Sequence, residues 1–147
     1  MPNGLPINKA EIRTLIPHSG LMCLLDSVSE WDDRSIICIS NTHRDPANPL
    51  RRDGRLSPVH AFEYAAQAVA VHGGLRARAV GATASPGYLA ALRDASLHTM
   101  RLDEVASPLR ICAHRLFADG ANAVYQCRVS ADDVLLADGR ITIILRT

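Results

Sequence analysis

The stretch Ser57–Gly74, SPVHAFEYAAQAVAVHGG, predicts a helix at the centre of the fold. Ser57 is a favourable N-cap residue, Pro58 suits the first helical position, and Gly73 with Gly74 is expected to end the helix. Most side chains between these limits are alanine, valine or phenylalanine, and a helix that is apolar on most faces is normally buried. Its small alanines would allow a sheet to wrap closely around it.

Three polar side chains interrupt this apolar helix on one side. At about 100° per residue, His60, Glu63 and Gln67 fall within a stripe of roughly 60°. A buried carboxylate costs free energy unless it is paired or hydrogen-bonded, and the dipole of the first turn disfavours a charged His60. The stripe therefore predicts Glu63 as the catalytic group with His60 as its partner. Gln67 is predicted to contribute to substrate binding. For both Glu63 and Gln67 the alternative is hydrogen bonding to backbone groups or to a second copy across a dimer interface.

Strand patterns lie on both sides of this helix. Residues 21–31 and 34–42 predict a hairpin that turns at Asp32 and Asp33. After Gly87 about four more strands follow, with turn signals at 103–104, 119–120 and 132–133, and apolar residues alternate with polar ones over 109–114. This order predicts an α+β fold in which one helix covers an antiparallel sheet.

The other segments add no second domain. Residues 8–16 predict a short helix, and 43–56, dense in Pro, Gly, Asp and Arg, predict an irregular loop. The chain has no internal repeat, low-complexity tract or long linker, so residues 1–147 are expected to form a single domain.

Composition excludes several function classes. A net charge of +1 and only six aromatic residues argue against nucleic-acid binding. The four cysteines lie far apart and no nucleotide or metalloprotease motif is present, so we expect free thiols and neither a metal nor another cofactor. The sequence has no signal-peptide pattern and no apolar run long enough to cross a membrane, which predicts a reduced, cytoplasmic protein without a membrane association.

Two groups of arginines flank the predicted helix. Arg51, Arg52 and Arg55 precede it, and Arg76 and Arg78 follow it closely. Such groups are usually solvated surface. The alternative is that they bind an anionic partner or a phosphate group, and on that reading the first group contributes to substrate binding.

The sequence resembles hotdog-fold proteins, in particular the branch of 3-hydroxyacyl-acyl carrier protein dehydratases. IPHSGLMCLLD (16–26) is similar to a Pro-His-x-x-Pro-Met-x-Leu-Leu-Asp motif of that branch, and FEYAAQAVAVHGG (62–74) to its Glu-x-x-Ala-Gln helix. GYLAALRDASL (87–97) is similar to the opening of the next strand. The resemblance implies one hotdog domain, a long helix wrapped by a curved antiparallel sheet, that dimerises with active sites along the subunit interface.

The resemblance also implies that Glu63 is the helix carboxylate of the dehydratase site and that Gln67 belongs to the same motif. The departure lies fourteen residues before Glu63, where typical members have a loop histidine and this chain has Pro49. His60 is the proposed replacement, and His43 and His18 are the alternatives.

Three functions remain open at this stage. The first is dehydration of a 3-hydroxyacyl thioester with a fatty-acyl or polyene-type chain, carried by acyl carrier protein or coenzyme A. It requires a base, an acid and a donor to the enolate oxygen. The second is thioester hydrolysis, which could proceed with Glu63 alone. The third is a non-catalytic subunit that binds acyl thioesters. For each of them a homodimer or larger assembly is expected.

Overall fold

The computed structural model describes residues 5–18, 20–83 and 87–145. The strands are β1 (Ile7–Asn8), β2 (Ser27–Trp31), β3 (Ser35–Ser40), β4 (Gly87–Leu97), β5 (Leu109–Ala118), β6 (Asn122–Ala131) and β7 (Val134–Leu145). The helices are α1 (Lys9–Ile12) and α2 (Ala61–Ala79), and short 3-10 turns cover Gly20–Met22, Thr42–Arg44 and Pro58–His60. Over the described ranges the seven strands form one sheet in the order β1-β2-β3-β5-β6-β7-β4, with every pairing antiparallel. The predicted α+β architecture is confirmed.

Helix α2 forms the centre of the hydrophobic core. It contacts β3, β5, β6 and β7, and Tyr64, Ala65, Ala68, Val71 and Leu75 on it are almost fully buried. Near its first turns, β7 comes so close that a Cβ added to Gly139 would lie 3.0 Å from the Phe62 ring. The expectation of a largely apolar helix wrapped by a sheet is therefore confirmed.

The helical segment begins at Pro58 as predicted, but its first turn is a 3-10 turn and α2 itself starts at Ala61. Its end lies beyond the predicted one. Ser57 caps the opening 3-10 turn by accepting a hydrogen bond from the Val59 N–H. The helix continues past Gly73 and Gly74 to Ala79, where Gly81 at φ +71° closes it. The N–H of Gly81 bonds the carbonyl of Arg78, and that of Ala82 bonds Ala77, which is a Schellman motif.

Gly74 has a packing role in place of the expected terminating role. A Cβ at this position would lie 3.2 Å from both the Cβ and the carbonyl oxygen of Leu15. The missing side chain therefore lets the segment after α1 pack directly on α2. A helix terminator requires the left-handed conformation, which Gly74 does not adopt.

The predicted β2–β3 hairpin is confirmed with a shorter first strand. Its turn is held by the Asp32 carboxylate, which accepts hydrogen bonds at 2.8 Å from the N–H groups of Arg34 and Ser35. Strand β2 begins at Ser27 and not at Leu21. The residues before it form a 3-10 turn and then a buried stretch without regular secondary structure, which is bonded to α2 through Gln67.

Three of the later strands match their predicted positions closely, but β4 ends at Leu97, before the predicted turn at 103–104. Leu109, Ile111 and Ala113 are buried as their alternation predicted, and Asp132 and Asp133 form a turn with positive φ angles. The end of the last predicted strand, residues 146–147, lies outside the described residues.

The chain's free thiols also follow expectation. Cys23, Cys38 and Cys127 are buried, and Cys112 is half-buried. None of the described helices is long and apolar enough to cross a membrane.

Candidate active site

A cavity of about 580 Å³ lies between one face of α2 and a corner of the sheet. Its helical wall is one face of α2, formed by Glu63, Ala66, Gln67, Val69, Ala70, Gly73 and Arg76. The facing wall comes from the segment after α1, the start of β4, the ends of β5 and β7 and the start of β6. The wall is mainly apolar, with polar groups at both ends of the helical row.

Glu63 stands at the N-terminal end of this row. It lies in the first turn of α2, where the helix dipole stabilises a carboxylate. The sequence predicted a buried carboxylate, but in the single chain the Glu63 side chain is exposed and borders the cavity. The structure therefore makes Glu63 accessible to a ligand without requiring a buried negative charge.

His18 is the histidine that borders the same cavity as Glu63. It lies between α1 and the 3-10 turn at Gly20–Met22 and is half-buried. Its Nδ1 atom is buried and has no hydrogen-bond partner within the described chain. A buried polar atom without a protein partner usually bonds a water or a ligand, so this nitrogen is left for a partner outside the described residues. The sequence identified it only as an alternative.

Gln67 lies one turn after Glu63 and is almost completely buried. Its Oε1 accepts a hydrogen bond from the Leu24 N–H at 2.9 Å, and its Nε2 donates to the Met22 carbonyl at 2.6 Å. The backbone alternative for Gln67 is thus confirmed. These two bonds fix the segment that follows His18 against the helix that carries Glu63.

A second group of buried hydrogen bonds holds the same segment. The hydroxyl groups of Ser40 and Thr42 both donate to the Leu24 carbonyl, and Thr42 also bonds the Tyr64 hydroxyl at 2.7 Å. Asn48 donates to the same Tyr64 oxygen at 3.1 Å. The position of His18 relative to α2 therefore depends on polar contacts from β3, the following loop and the helix.

His60 does not border the cavity that contains Glu63. It is the last residue of the 3-10 turn before α2, it is half-buried, and its side chain makes no capping hydrogen bond. The N–H groups of Val59, His60 and Ala61 are bonded within that turn, so they are not free donors for an enolate oxygen. The pairing of His60 with Glu63 stays a prediction.

His43, the other alternative base, is a structural residue. It is fully buried, its Nε2 donates to the Val105 carbonyl at 2.9 Å, and it does not border the cavity. Burial lowers the pKa of His43, which favours the neutral ring. His72 is also held by hydrogen bonds: it donates from Nε2 to the Asp32 carbonyl at 2.8 Å and accepts at Nδ1 from the Tyr125 hydroxyl at 2.6 Å.

The loop arginines differ from one another. Arg51 donates to the carbonyl groups of Gly54 and His43 at 2.9 and 3.1 Å, so it holds the loop together. Arg52 and Arg55 are exposed on either side of a tight turn. None of these three arginines borders the cavity, and substrate binding by them stays a prediction.

Arg115 and Tyr125 border the cavity and were missed by the sequence analysis. Arg115 continues the inward series Leu109, Ile111 and Ala113, and its side chain is only 15% exposed. An arginine at an inward position of an alternating strand is a signal that could have identified it. Tyr125 also occupies an inward position, on β6, but from the sequence it cannot be distinguished from an ordinary core aromatic residue.

The comparisons with known proteins agree with this architecture. Residues 10–146 match the model of the ApeP-like family, described as ApeP dehydratase. The solved dehydratase heterocomplex ApeI:P from Xenorhabdus doucetiae is similar to this chain with a TM-score of 0.83 and 24% identity, covering 92% of this chain and 91% of the other.

More distant structures share the fold. AziG from S. sahachiroi has a TM-score of 0.60 and 16% identity, covering 90% of this chain and 99% of its own. A hypothetical thioesterase with coenzyme A from Streptococcus pneumoniae TIGR4 has a TM-score of 0.57 and 11% identity, covering 81% of this chain and 84% of its own. No curated protein matches the chain. The fold is therefore the predicted hotdog fold, and because the family model spans nearly the whole sequence, the chain belongs to the ApeP-like dehydratase family.

Proposed function

We propose that this dehydratase-like protein removes water from a 3-hydroxyacyl thioester, with Glu63 and His18 as the catalytic pair. The observation that carries the proposal is that these two side chains border one cavity and that His18 Nδ1 is buried without a partner in the described chain. A carboxylate and an imidazole beside a mainly apolar cavity suit acid and base catalysis on an acyl chain.

The reaction requires two proton transfers. One group of the pair takes the proton from C2 of the acyl chain, and the other gives a proton to the C3 hydroxyl. The C3–O bond then breaks, a double bond forms between C2 and C3, and water leaves. Gln67 acts as a positioning residue, because both of its polar atoms bond the backbone that follows His18.

We expect the carrier of the acyl group to be acyl carrier protein or coenzyme A. The exposed guanidinium groups of Arg52 and Arg55 lie on the loop that precedes α2. They would attract an acidic carrier over a distance of about 10 Å at moderate salt. Arg51 would contribute indirectly, since its two carbonyl contacts hold that loop.

The assembly we propose is a dimer that pairs through β4. This strand is an edge of the sheet, bonded only to β7, and ten of its eleven residues are exposed. Tyr88, Leu89, Leu92 and Leu97 are 37 to 51% exposed on it. A long edge strand with apolar side chains is normally covered by another chain. The start of β4 borders the cavity, so a second copy there would also cover the site.

The alternatives have less support. Hydrolysis by Glu63 alone would not require His18 in the cavity, and a binding subunit would require neither group. The family match is to a dehydratase, and no observation favours either alternative.

The test presents the purified chain with a 3-hydroxyacyl thioester and, separately, with the simple acyl thioester of the same length. Appearance of the conjugated enoyl product from the first, and of no free thiol from the second, is the expected result. Glu63→Gln should abolish this product while the protein stays folded. Release of free thiol from both substrates would establish hydrolysis instead. If neither product forms from either carrier, the site is a binding site only.

A further inference from the structure

Arg76 and Arg115 form a cationic pair at the end of the cavity opposite Glu63. Arg76 belongs to the last turns of α2, and Arg115 to β5, and both border the cavity. Both also contact Asp33: Arg76 Nε lies 3.0 Å from Oδ1, and Arg115 Nη2 lies 3.3 Å from Oδ2. Two guanidinium groups therefore share one carboxylate.

The shared carboxylate leaves most of the guanidinium donors unused. Arg76 bonds Asp33 through Nε, Arg115 does so through one Nη2 contact, and neither side chain has another partner in the parts of the chain that the structure describes. A guanidinium carries five N–H groups. Asp33 is 74% exposed, whereas Arg115 is 15% exposed, so the carboxylate lies toward solvent. The forked arrangement of the unused guanidinium N–H groups allows them to donate to two oxygens of one carboxylate or phosphate group.

One other charged group borders this end of the cavity. Asp119 is part of its wall, and its Oδ1 accepts hydrogen bonds from the N–H groups of Ala121 and Asn122 at 2.7 and 2.8 Å. Those bonds lower the pKa of Asp119 and fix it in the turn between β5 and β6. Its Oδ1 is thus bonded within the turn, and its carboxylate pairs with neither arginine.

The distance between Glu63 and Arg76 along α2 sets the length of a ligand that could contact both. Arg76 follows Glu63 by thirteen residues, which is about 20 Å at 1.5 Å per residue. An extended chain advances about 1.2 Å per bond, so the arginines lie roughly sixteen bonds from the reacting carbon. Ala66, Ala70 and Gly73 lie between the two ends, and the space where a Gly73 Cβ would stand is open.

We propose that Arg76 and Arg115 bind an anionic oxygen group of the thioester substrate, about 20 Å from the bond that reacts. The proposal rests on the proposed function for the position of the thioester beside Glu63. An anion at that distance has two sources. One is the phosphate of a phosphopantetheine arm, and the other is a carboxylate at the far end of the acyl chain.

Equilibrium binding of unreactive thioethers tests this independently of turnover. The first pair of ligands is a short alkyl thioether of phosphopantetheine and the same thioether of pantetheine, without the phosphate. The second pair consists of pantetheine thioethers with a chain of about sixteen atoms, one ending in a carboxylate and one in a methyl group. Calorimetry measures each affinity for the wild type and for three variants, Arg76→Met, Arg115→Met and Arg78→Met. Arg78 is the matched control, since it pairs with Glu11 and does not border the cavity.

The anionic member of one pair should bind about tenfold more tightly than its neutral partner. Arg76→Met and Arg115→Met should remove that preference, and Arg78→Met should keep it. The pair that shows the preference identifies the source of the anion. Equal affinities within both pairs, or an equal loss for charged and neutral ligands in the variants, would overturn the proposal.

Asp33→Asn should change the preference for the charged ligand in the opposite direction, and it leaves both arginines in place. If the cluster binds an anion, loss of the competing carboxylate should strengthen the preference for the charged ligand. If the cluster only joins β5 to α2, Asp33→Asn should leave that preference unchanged, which would contradict the proposal. Because these thioethers cannot be dehydrated or hydrolysed, either result stands whether or not the chain proves to be a dehydratase.

Discussion

The side-chain amide of Gln67 accepts a hydrogen bond from the backbone N–H of Leu24 at 2.9 Å. This contact joins the middle of α2 to a segment 43 residues earlier in the chain. The same amide group donates a hydrogen bond to the Met22 carbonyl. The Gln67 side chain therefore bonds an N–H and a C=O of this segment, as a neighbouring strand would. His18 precedes this segment and borders the same cavity as Glu63, although the sequence separates these two residues widely.

Gln67→Leu should therefore reduce both stability and turnover. The buried Leu24 N–H loses its partner, which costs about 1–3 kcal/mol of unfolding free energy. Chemical denaturation measures this loss, and steady-state kinetics should show a lower kcat because the His18 segment is no longer fixed. Gln67→Glu is the matched variant. When ionised it places a buried carboxylate against the Met22 carbonyl, which is costly, whereas the protonated group can accept from Leu24 and donate to Met22. Its stability relative to the wild type should therefore recover as the pH is lowered. Full activity and unchanged stability in Gln67→Leu would contradict the positioning role.

The two candidate histidines can be distinguished directly. His18→Ala should lower kcat by about 100-fold or more, the range expected for a lost acid or base. His60→Ala should retain most of the activity, since His60 does not border the cavity. Both variants should unfold at nearly the wild-type denaturant concentration. The reverse order of activities would restore the pairing of His60 with Glu63 that the helical stripe predicted.

Charge reversal separates the loop arginines by role. Arg51→Glu should destabilise the loop, because Arg51 bonds two backbone carbonyls there. Arg52→Glu and Arg55→Glu should leave stability unchanged within about 0.5 kcal/mol, as is usual for exposed sites. If Arg52 and Arg55 attract an acidic carrier, their reversal should slow association, and more strongly at low salt. Association rates that do not depend on these charges at low salt would identify the two as solvated surface.

The dimer prediction depends on the edge strand β4. Leu92→Lys together with Leu97→Lys places charges on this edge, a device by which proteins block strand pairing. Light scattering should show a dimer for the wild type and a monomer for the double variant. Val80→Lys is the control, because Val80 is 79% exposed but lies outside β4. A wild type that stays monomeric at micromolar concentration would remove the basis for a shared interface.

The sequence predicted most of the architecture because local patterns determine it. The alternation over Leu109–Ala113 predicts a strand and the aspartates at 132–133 predict a turn, and each pattern involves only a few neighbouring residues. Both predictions were confirmed. The end of α2 could not be found in this way. Gly74 is a terminator by local propensity, but its contact with Leu15 is a tertiary one and overrides that propensity.

The candidate site was harder to predict for the same reason. Glu63 was identified as a polar residue on an apolar helix, and it does border the cavity. His18 borders the same cavity, and the segment that follows it is held by contacts between Gln67 and the 22–24 backbone, which helical periodicity does not reveal. His60 lies three residues before Glu63, a spacing that would place both side chains on one face of a continuous α-helix. His60 belongs instead to the 3-10 turn at Pro58–His60, so the α-helical spacing does not apply to it.

Two buried histidines should make stability depend on pH between 8 and 5. Burial lowers the pKa of His72 and of His43, and each Nε2 donates to a carbonyl oxygen, which leaves Nδ1 without a proton when the ring is neutral. In the unfolded chain a histidine titrates near pH 6.5. The unfolded state therefore takes up protons that the folded state does not, and the unfolding free energy should fall as the pH drops below about 6.5. The aspartates whose pKa is lowered act only below about pH 4.

Urea denaturation at pH 8, 6.5 and 5 measures this dependence. His72→Phe removes one of the two groups. It should be less stable at every pH, because the Tyr125 hydroxyl loses its acceptor, but its stability should change less between pH 8 and pH 5. His114→Ala is the control, because it removes an exposed histidine that does not belong to this buried pair. A wild-type stability that is flat over this range, or a slope that His72→Phe leaves unchanged, would show that His72 is not kept neutral by the fold.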